Sequence, residues 1–182
     1  MFEKLIADFL VHHTSTWFPS CSTTTTNVNI HKNFAFSQRK QTDVIFTIFS
    51  KAFDGMNHKL LLTKMDSMGV NHRSFRWLES YLTGRKQTEY VNNRLSKYIY
   101  MLIGVPQGGH LGPLLFSLFM NDLPNMINFA NILIYADDIK VFLSFNNFLE
   151  HAYLQSDLNN FVLWWDYNMM ELNIKKCKCM RF

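Results

Sequence analysis

The stretch NILIYADDIKVFLS, residues 131–144, constrains the fold more than any other part of the chain. Its β-branched and apolar residues predict two strands, and the adjacent carboxylates Asp137 and Asp138 interrupt them. At a tight turn both carboxylates can converge, where two like charges about 4 Å apart repel by roughly 4 kcal/mol at an effective dielectric near 20. Exposure to water, protonation of one carboxylate or binding of a divalent metal can each offset this repulsion. From the residues alone, the Asp pair is compatible with either an exposed turn or a metal site.

Strand-like and helix-like patterns alternate along the rest of the chain. Asp54 is the predicted N-cap of the first helix, and Gly69 and Gly84 are predicted to end the first two helices. The predicted strands are 43–49, 87–93, 97–103, two within 131–144 and one near 177–182, and the predicted helices are 55–69, 72–85, 114–123 and 147–169. This order predicts an α+β fold, in which helices pack on one face of a mainly antiparallel sheet.

Composition narrows the function classes only slightly. The chain has 182 residues, 48% of them hydrophobic, and a net charge of +4, which suits one domain with a sizeable core. Basic residues concentrate between residues 73 and 97, as expected for a polyanion-binding surface or for solvated faces. Three cysteines without zinc spacing favour an intracellular setting, nuclear or cytoplasmic. No apolar run reaches membrane-spanning length, and residues 1–13 are typical of an amphipathic helix.

Five blocks of sequence together narrow the function much further. They are FSKAFDGMNHKLLLTKM (49–65), RWLESYLTGR (76–85), GVPQGGHLGPLLFSLFMNDLP (104–124), YADDIKVF (135–142) and LNIKKCKCMRF (172–182). In this order and spacing they resemble the reverse transcriptase domain of non-LTR (LINE-type) retrotransposons, close to the jockey-like insect group. The resemblance covers roughly residues 36 to 182. It implies a polymerase palm and an RNA-directed DNA polymerase that uses an RNA template, a DNA primer and deoxynucleotide triphosphates.

The resemblance also assigns roles to residues at the Asp pair. YADD matches the metal-binding turn of the family, so Asp137 and Asp138 are implied to be catalytic and to hold Mg2+. Lys176 matches a basic residue near the nucleotide phosphates. From the residues alone, a solvated charge is the alternative for Lys176.

Two further blocks match nucleotide-binding positions. Phe53 falls where an aromatic ring of the family screens out the ribose 2′-hydroxyl, although a core aromatic is the alternative. Gln107 and Gly108 match the loop beside the incoming nucleotide and template, although GVPQGG by itself is also compatible with an ordinary loop.

One position departs from the family in a way that bears on catalysis. The family has an aspartate immediately before FSKAFD, and this chain has Ile48. An isoleucine cannot ligate a metal, so we expect the chain to be inactive or weak. Asp43 lies on the opposite face of a regular strand, and Asp54 is predicted to cap a helix, so neither is expected to replace the missing carboxylate.

The resemblance predicts two regions. Residues 1–42 are predicted to be a fingers remnant with a Thr-rich loop over residues 14–26, and residues 43–182 the palm. No arginine stands between residues 13 and 28, where the family has one. The sequence is expected to lack a thumb after the palm and an endonuclease before it. A non-catalytic nucleic-acid-binding module and a decayed retrotransposon fragment remain the alternatives.

Overall fold

The computed structural model describes residues 40–106, 108–146 and 150–182. The predicted N-terminal helix and Thr-rich loop, and most of the predicted fingers remnant, lie outside these residues. In chain order the described elements are β1 (Gln41–Ile48), α1 (His58–Ser67), α2 (His72–Leu82), β2 (Lys86–Gln87), β3 (Tyr90–Val91), β4 (Arg94–Leu95), β5 (Ile99–Tyr100), α3 (Leu111–Met120), a 3₁₀ helix (Leu123–Met126), β6 (Asn131–Tyr135), β7 (Asp138–Phe145), α4 (His151–Tyr167), a second 3₁₀ helix (Ile174–Lys176) and β8 (Lys178–Arg181).

The largest sheet is antiparallel and has the strand order β6-β7-β1-β8. β1 is central: it pairs with β7 from Gln41 opposite Phe145 to Ile48 opposite Asp138, and with β8 on its other edge. The predicted first strand, central hairpin and last strand are therefore confirmed. So is the prediction of an α+β fold with a mainly antiparallel sheet.

The main core lies where the helices meet the sheet. Leu61 of α1, Leu115 of α3 and Phe161 of α4 are buried together with Ile139 and Val141 of β7. All five side chains are apolar, and burial of each contributes about 1.5–3 kcal/mol relative to exposure. This packing holds β7, and with it the Asp137–Asp138 turn, against three helices.

A buried lysine ties α1 to the end of α3. Lys64 Nζ donates to the Asp122 carboxylate at 2.7 Å and to the Phe119 carbonyl at 2.8 Å. Burial lowers the pKa of Lys64, an effect that the hydrogen bond to Asp122 opposes. Trp164 of α4 donates from Nε1 to the same Asp122 oxygen at 3.0 Å, so one carboxylate joins three helical elements.

The start of the first helix differs from the prediction. Asn57, and not Asp54, is the N-cap of α1, and its side chain accepts a hydrogen bond from Leu60 N at 3.2 Å. The N–H groups of Asp54 and Gly55 instead bond to the Lys51 carbonyl in a preceding turn. That turn occupies the first residues of the predicted helix, which delays its start.

The two predicted strands between 87 and 103 form a ribbon of shorter ladders. β2 pairs with β5, and β3 pairs with β4. Asn92 and Asn93, at φ 51° and 62°, reverse the chain between β3 and β4. Tight two-residue hairpins favour such left-handed residues, and asparagine tolerates this conformation better than most.

Candidate active site

The β6–β7 hairpin places the Asp pair at one end of the large sheet. Tyr135 pairs with Asp138, so Ala136 and Asp137 form the two-residue turn. Ala136 adopts φ 51°, a left-handed conformation that is costly for a residue with a Cβ. Asp137 is half-buried and Asp138 is exposed. The predicted turn is therefore confirmed, and its backbone carries the strain that tight functional turns often store.

Ile48 lies directly across the sheet from this turn. It is the last residue of β1, is half-buried and pairs with Asp138. Side chains of directly paired residues share a face, with Cβ atoms about 5 Å apart. A carboxylate at position 48 would therefore lie beside Asp138.

The other acids near β1 do not supply the carboxylate that is missing at position 48. Asp43 lies five residues before Ile48 and pairs with Arg181, whose guanidinium binds its carboxylate at 2.9 Å through two nitrogens. Asp54 is an exposed residue of the turn before α1. Within the described residues, no group of three or more His, Cys, Asp or Glu side chains is arranged to hold a metal ion.

The segment after α4 brings basic residues to the same end of β1. Ser50 N donates to the Glu171 carbonyl at 2.6 Å, and Asn173 N donates to the Ile48 carbonyl at 2.8 Å. The second 3₁₀ helix follows at once, and its Lys176 is exposed. The structure thus places Lys176 at the sheet end that carries the Asp pair.

Phe53 packs beside the glycine-rich turn. Its half-buried ring lies 4.8 Å from the Phe116 ring of α3, and its carbonyl accepts a hydrogen bond from Val105 N at 3.0 Å. The ring therefore joins the helical core while part of it stays accessible. Its role toward a ribose remains a prediction.

Gly104 fixes the start of the glycine-rich turn. It has φ 78°, and a Cβ built on it would lie 2.8 Å from the Asp54 carbonyl oxygen, so only glycine fits. Its carbonyl accepts hydrogen bonds from His58 Nε2 at 2.6 Å and from an Arg85 guanidinium nitrogen at 2.5 Å. Sequence reasoning missed His58 and Arg85, because nothing in their spacing indicates a shared carbonyl.

The other predicted residues of this turn are only partly described. Gly108 is exposed at φ 83°, and among the described residues no atom lies within 4 Å of a built Cβ, which leaves open space beside the backbone. Gln107 lies outside the described residues. The predicted roles of both residues at a nucleotide remain predictions.

A buried aspartate that the sequence did not single out positions the hairpin. Asp157 of α4 accepts hydrogen bonds from the backbone N–H groups of Asn128, Phe129 and Ala130, at 2.9, 2.8 and 2.6 Å. These residues lead directly into β6. The contact fixes the entry to the hairpin, and its only sequence signal is an acid on an otherwise apolar helix face.

The donor set at the Asp pair fits a magnesium ion only in part. Mg2+ commonly takes one or two carboxylates together with substrate phosphates. Asp137 and Asp138 can supply the carboxylates. Within the described residues a third carboxylate does not join them, because the position paired with Asp138 holds Ile48.

Comparison with known proteins decides the family. The sequence model of the family described as "Reverse transcriptase (RNA-dependent DNA polymerase)" matches residues 1–181. The chain belongs to the reverse transcriptase family. Reverse transcriptases in general use divalent metal ions, in keeping with adjacent carboxylates at the turn, of which Asp138 is exposed and Asp137 half-buried.

The curated relatives place this reverse transcriptase domain among non-LTR elements. It is 33% identical over 78% of its length to "Probable RNA-directed DNA polymerase from transposon BS" of Drosophila melanogaster. It is 31% identical over 81% of its length to "RNA-directed DNA polymerase from mobile element jockey" of Drosophila funebris. The chain spans 16% and 17% of these relatives.

Solved structures support the fold of this reverse transcriptase domain. The structure of apo telomerase from Candida tropicalis superimposes with a TM-score of 0.74 at 9% identity, over 98% of this chain and 36% of that one. At this identity the likeness shows the fold alone. In the part of the chain that the structure describes, no helix is both long and apolar enough to cross a membrane.

Proposed function

We propose that this chain is the palm of a non-LTR RNA-directed DNA polymerase in which Ile48 has abolished or nearly abolished nucleotidyl transfer. One observation carries the proposal: Ile48 pairs with Asp138 at the end of the sheet where the family resemblance places the first metal-binding aspartate. The substrates would be an RNA template, a DNA primer and deoxynucleotide triphosphates. The family and the relatives' names support this partner set.

The proposed chemistry is attack of the primer 3′-hydroxyl on the nucleotide α-phosphate, with pyrophosphate as the leaving group. Asp137 and Asp138 would hold Mg2+, which when bound stabilises charge on the attacking and leaving oxygens. Lys176, exposed at the same sheet end, would contact the nucleotide phosphates. Phe53 would border the ribose. Gln107 and Gly108 would lie beside the incoming nucleotide and the template, where the open backbone at Gly108 would leave room for the nucleotide.

The missing ligand sets the size of the expected defect. An isoleucine offers no lone pair, so only two of the three carboxylates of the family remain at the turn. Loss of one preorganised electrostatic group in an active site typically costs on the order of 10²–10³ in rate. Nucleotide phosphates can still bring a metal to Asp137 and Asp138, but its position relative to β1 would no longer be fixed.

Primer extension on an RNA template with Mg2+ tests the proposal. The chain, its Ile48→Asp variant and an Ile48→Asn control of the same shape as aspartate are compared. Extension by Ile48→Asp at least about 10²-fold above the other two is expected, because only that variant restores the carboxylate. Equal extension by the unchanged chain would show that Ile48 does not silence the site. Absence of extension from all three would reject position 48 as the sole cause.

A second candidate function is nucleic-acid binding without chemistry. Its support is the exposure of most basic side chains between residues 73 and 97: Arg73, Arg76, Lys86, Arg94 and Lys97 are exposed. Phosphate-driven binding weakens steeply as salt rises. A salt-independent affinity, or no binding at low salt, would reject this candidate.

The third alternative, a decayed fragment, makes a different prediction. A decayed chain would fail to form a cooperatively folded protein. The continuous buried core across α1, α3, α4 and β7 argues against simple decay. A single sharp unfolding transition, followed by circular dichroism, would agree with the palm proposal, and a broad non-cooperative melt would favour decay.

A further inference from the structure

The ribbon formed by residues 86–100 exposes an unusual set of side chains. Tyr90, Tyr98 and Tyr100 keep 66%, 56% and 55% of their surface accessible. None of the three belongs to the main core. We name this surface the tyrosine ribbon, defined by Lys86, Tyr90, Arg94, Lys97, Tyr98 and Tyr100.

One face of the tyrosine ribbon combines two aromatic rings with a cation. Lys86 pairs with Tyr100 across the β2–β5 ladder, and Tyr98 lies two residues before Tyr100, so all three side chains share a face. Lys86 Nζ lies 4.5 Å from the Tyr98 ring centroid and 5.1 Å from the Tyr100 centroid. The two rings meet edge to face at 5.7 Å, which holds them in a fixed mutual orientation.

The charge of the tyrosine ribbon is positive and is not neutralised within the described chain. Residues 85–97 contain Arg85, Lys86, Arg94 and Lys97 against a single acid, Glu89. Among the described residues, no carboxylate forms an ion pair with Lys86, Arg94 or Lys97. An anionic partner would therefore meet cations whose charge is still available.

From these observations we propose that the tyrosine ribbon binds single-stranded nucleic acid, with bases stacked on Tyr98 and Tyr100 and phosphates beside Lys86, Arg94 and Lys97. Exposed aromatic rings interleaved with cations are the chemistry by which proteins hold unpaired bases. A duplex, whose bases are already stacked, cannot use the rings in this way. Protein-docking surfaces are instead depleted in lysine at their centres, which makes a protein the less favoured occupant.

The position of the ribbon connects this surface to the candidate active site. Arg85 precedes β2 and binds the Gly104 carbonyl, and Ile103, after β5, bridges to Asn57 at the start of α1. One end of the ribbon is thus bound to the glycine-rich turn, and the other end to the start of α1. The inference rests on the proposed nucleic-acid partner, but not on nucleotidyl transfer.

Fluorescence anisotropy with labelled oligonucleotides tests the inference on the full chain, without nucleotide or metal. Probes are oligo(dT) and oligo(rU) of roughly 20 nucleotides and a DNA duplex of equal length, because a single OB-type module occupies about 4–16 nucleotides. Tyr98→Ala and Tyr100→Ala are each expected to weaken single-strand binding about five- to 100-fold. Tyr98→Phe, which keeps the ring, should bind as the unchanged chain does.

Controls separate the ribbon from general surface effects. Tyr167→Ala removes an exposed tyrosine from α4 and should leave binding unchanged. Lys86→Gln should weaken binding and flatten its salt dependence, since each phosphate contact contributes a slope of about −0.7 for single strands. Lys59→Gln, an exposed lysine on α1, should change neither.

Several outcomes would overturn the inference. Unchanged affinity of Tyr98→Ala and Tyr100→Ala, or equal affinity for duplex and single strands, would reject stacking on the ribbon. Concentration-dependent self-association that Tyr98→Ala abolishes, without oligonucleotide binding, would make the ribbon a protein interface. Failure of Ile48→Asp to extend a primer would reject position 48 as the sole cause of inactivity and leave this binding measurement unaffected.

Discussion

The two ends of β1 hold carboxylates under opposite conditions. At one end Asp43 is buried and receives two 2.9 Å hydrogen bonds from Arg181, and His151 Nε2 lies 3.2 Å from its carboxylate. At the other end Asp137 and Asp138 stand next to each other, and neither forms an ion pair within the described residues. One strand therefore links a neutralised acid to an acid pair with which no described Lys, Arg or His side chain forms an ion pair.

This difference separates a structural carboxylate from a candidate functional one. A buried acid must have partners, because an uncompensated buried charge costs several kcal/mol. Acids at a substrate-facing turn can stay accessible, because water solvates them until a cation binds. With Ile48 in place of an aspartate, this end carries one negative charge fewer. The repulsion that a third carboxylate would exert on Asp138 is therefore absent.

The largest effect is expected from removing the Asp pair in an active background. In Ile48→Asp, adding Asp137→Asn or Asp138→Asn should lower primer extension by at least about 10²-fold, because each removes a charged oxygen that would hold the metal. Adding Asp166→Asn, an exposed acid on α4, should leave extension unchanged. If the Asp137 and Asp138 variants extend as fast as their parent, the active end of β1 has been wrongly assigned.

The next largest effect concerns the stability of the other end. Arg181→Met should lower the free energy of unfolding at neutral pH, because it leaves the buried Asp43 carboxylate without its main partner. Urea unfolding followed by fluorescence measures the change. Lys178→Met, an exposed cation on the same strand, is the matched control and should cost little. Equal losses from both variants would show that the Asp43–Arg181 pair adds no more to the free energy of unfolding than an exposed cation does.

Of these two ends of β1, the sequence predicted only the one with the Asp turn and Ile48. The strand over 43–49, the 131–144 hairpin and its Asp turn were predicted because alternating apolar residues and turn acids are local signals. The departure at Ile48 was also visible, because the motif beside it is contiguous.

Long-range side-chain contacts explain what the sequence did not reveal. Asp43 and Arg181 are separated by 138 positions, and Asp157 reaches backbone groups 27–29 residues away. No periodicity connects such partners. The N-cap of α1 was misplaced for a related reason: the segment before α1 is bound by a distant loop, through hydrogen bonds from Gly104 N to the Met56 carbonyl and from Val105 N to the Phe53 carbonyl.

A smaller effect is expected from acid. The hydrogen bond from Arg181 lowers the pKa of Asp43 below its ordinary value of 3.8. A depressed folded-state pKa stabilises the fold above the unfolded pKa, and this contribution is lost as the pH falls through the folded pKa. The stability difference between the unchanged chain and Arg181→Met should therefore be complete at about pH 7 and shrink below about pH 4. Urea titrations across this range measure it, and a constant difference would argue against an ionised Asp43.

The smallest effect concerns the turn at the other end. Ala136→Gly should change the free energy of unfolding by less than about 1 kcal/mol, since relief of the left-handed strain at φ 51° is offset by greater freedom of the unfolded chain. In the Ile48→Asp background the same substitution should lower primer extension more than stability, because a looser turn positions Asp137 and Asp138 less firmly. Parallel urea and extension measurements distinguish the two. If extension and stability change in proportion, the strained turn serves only the fold.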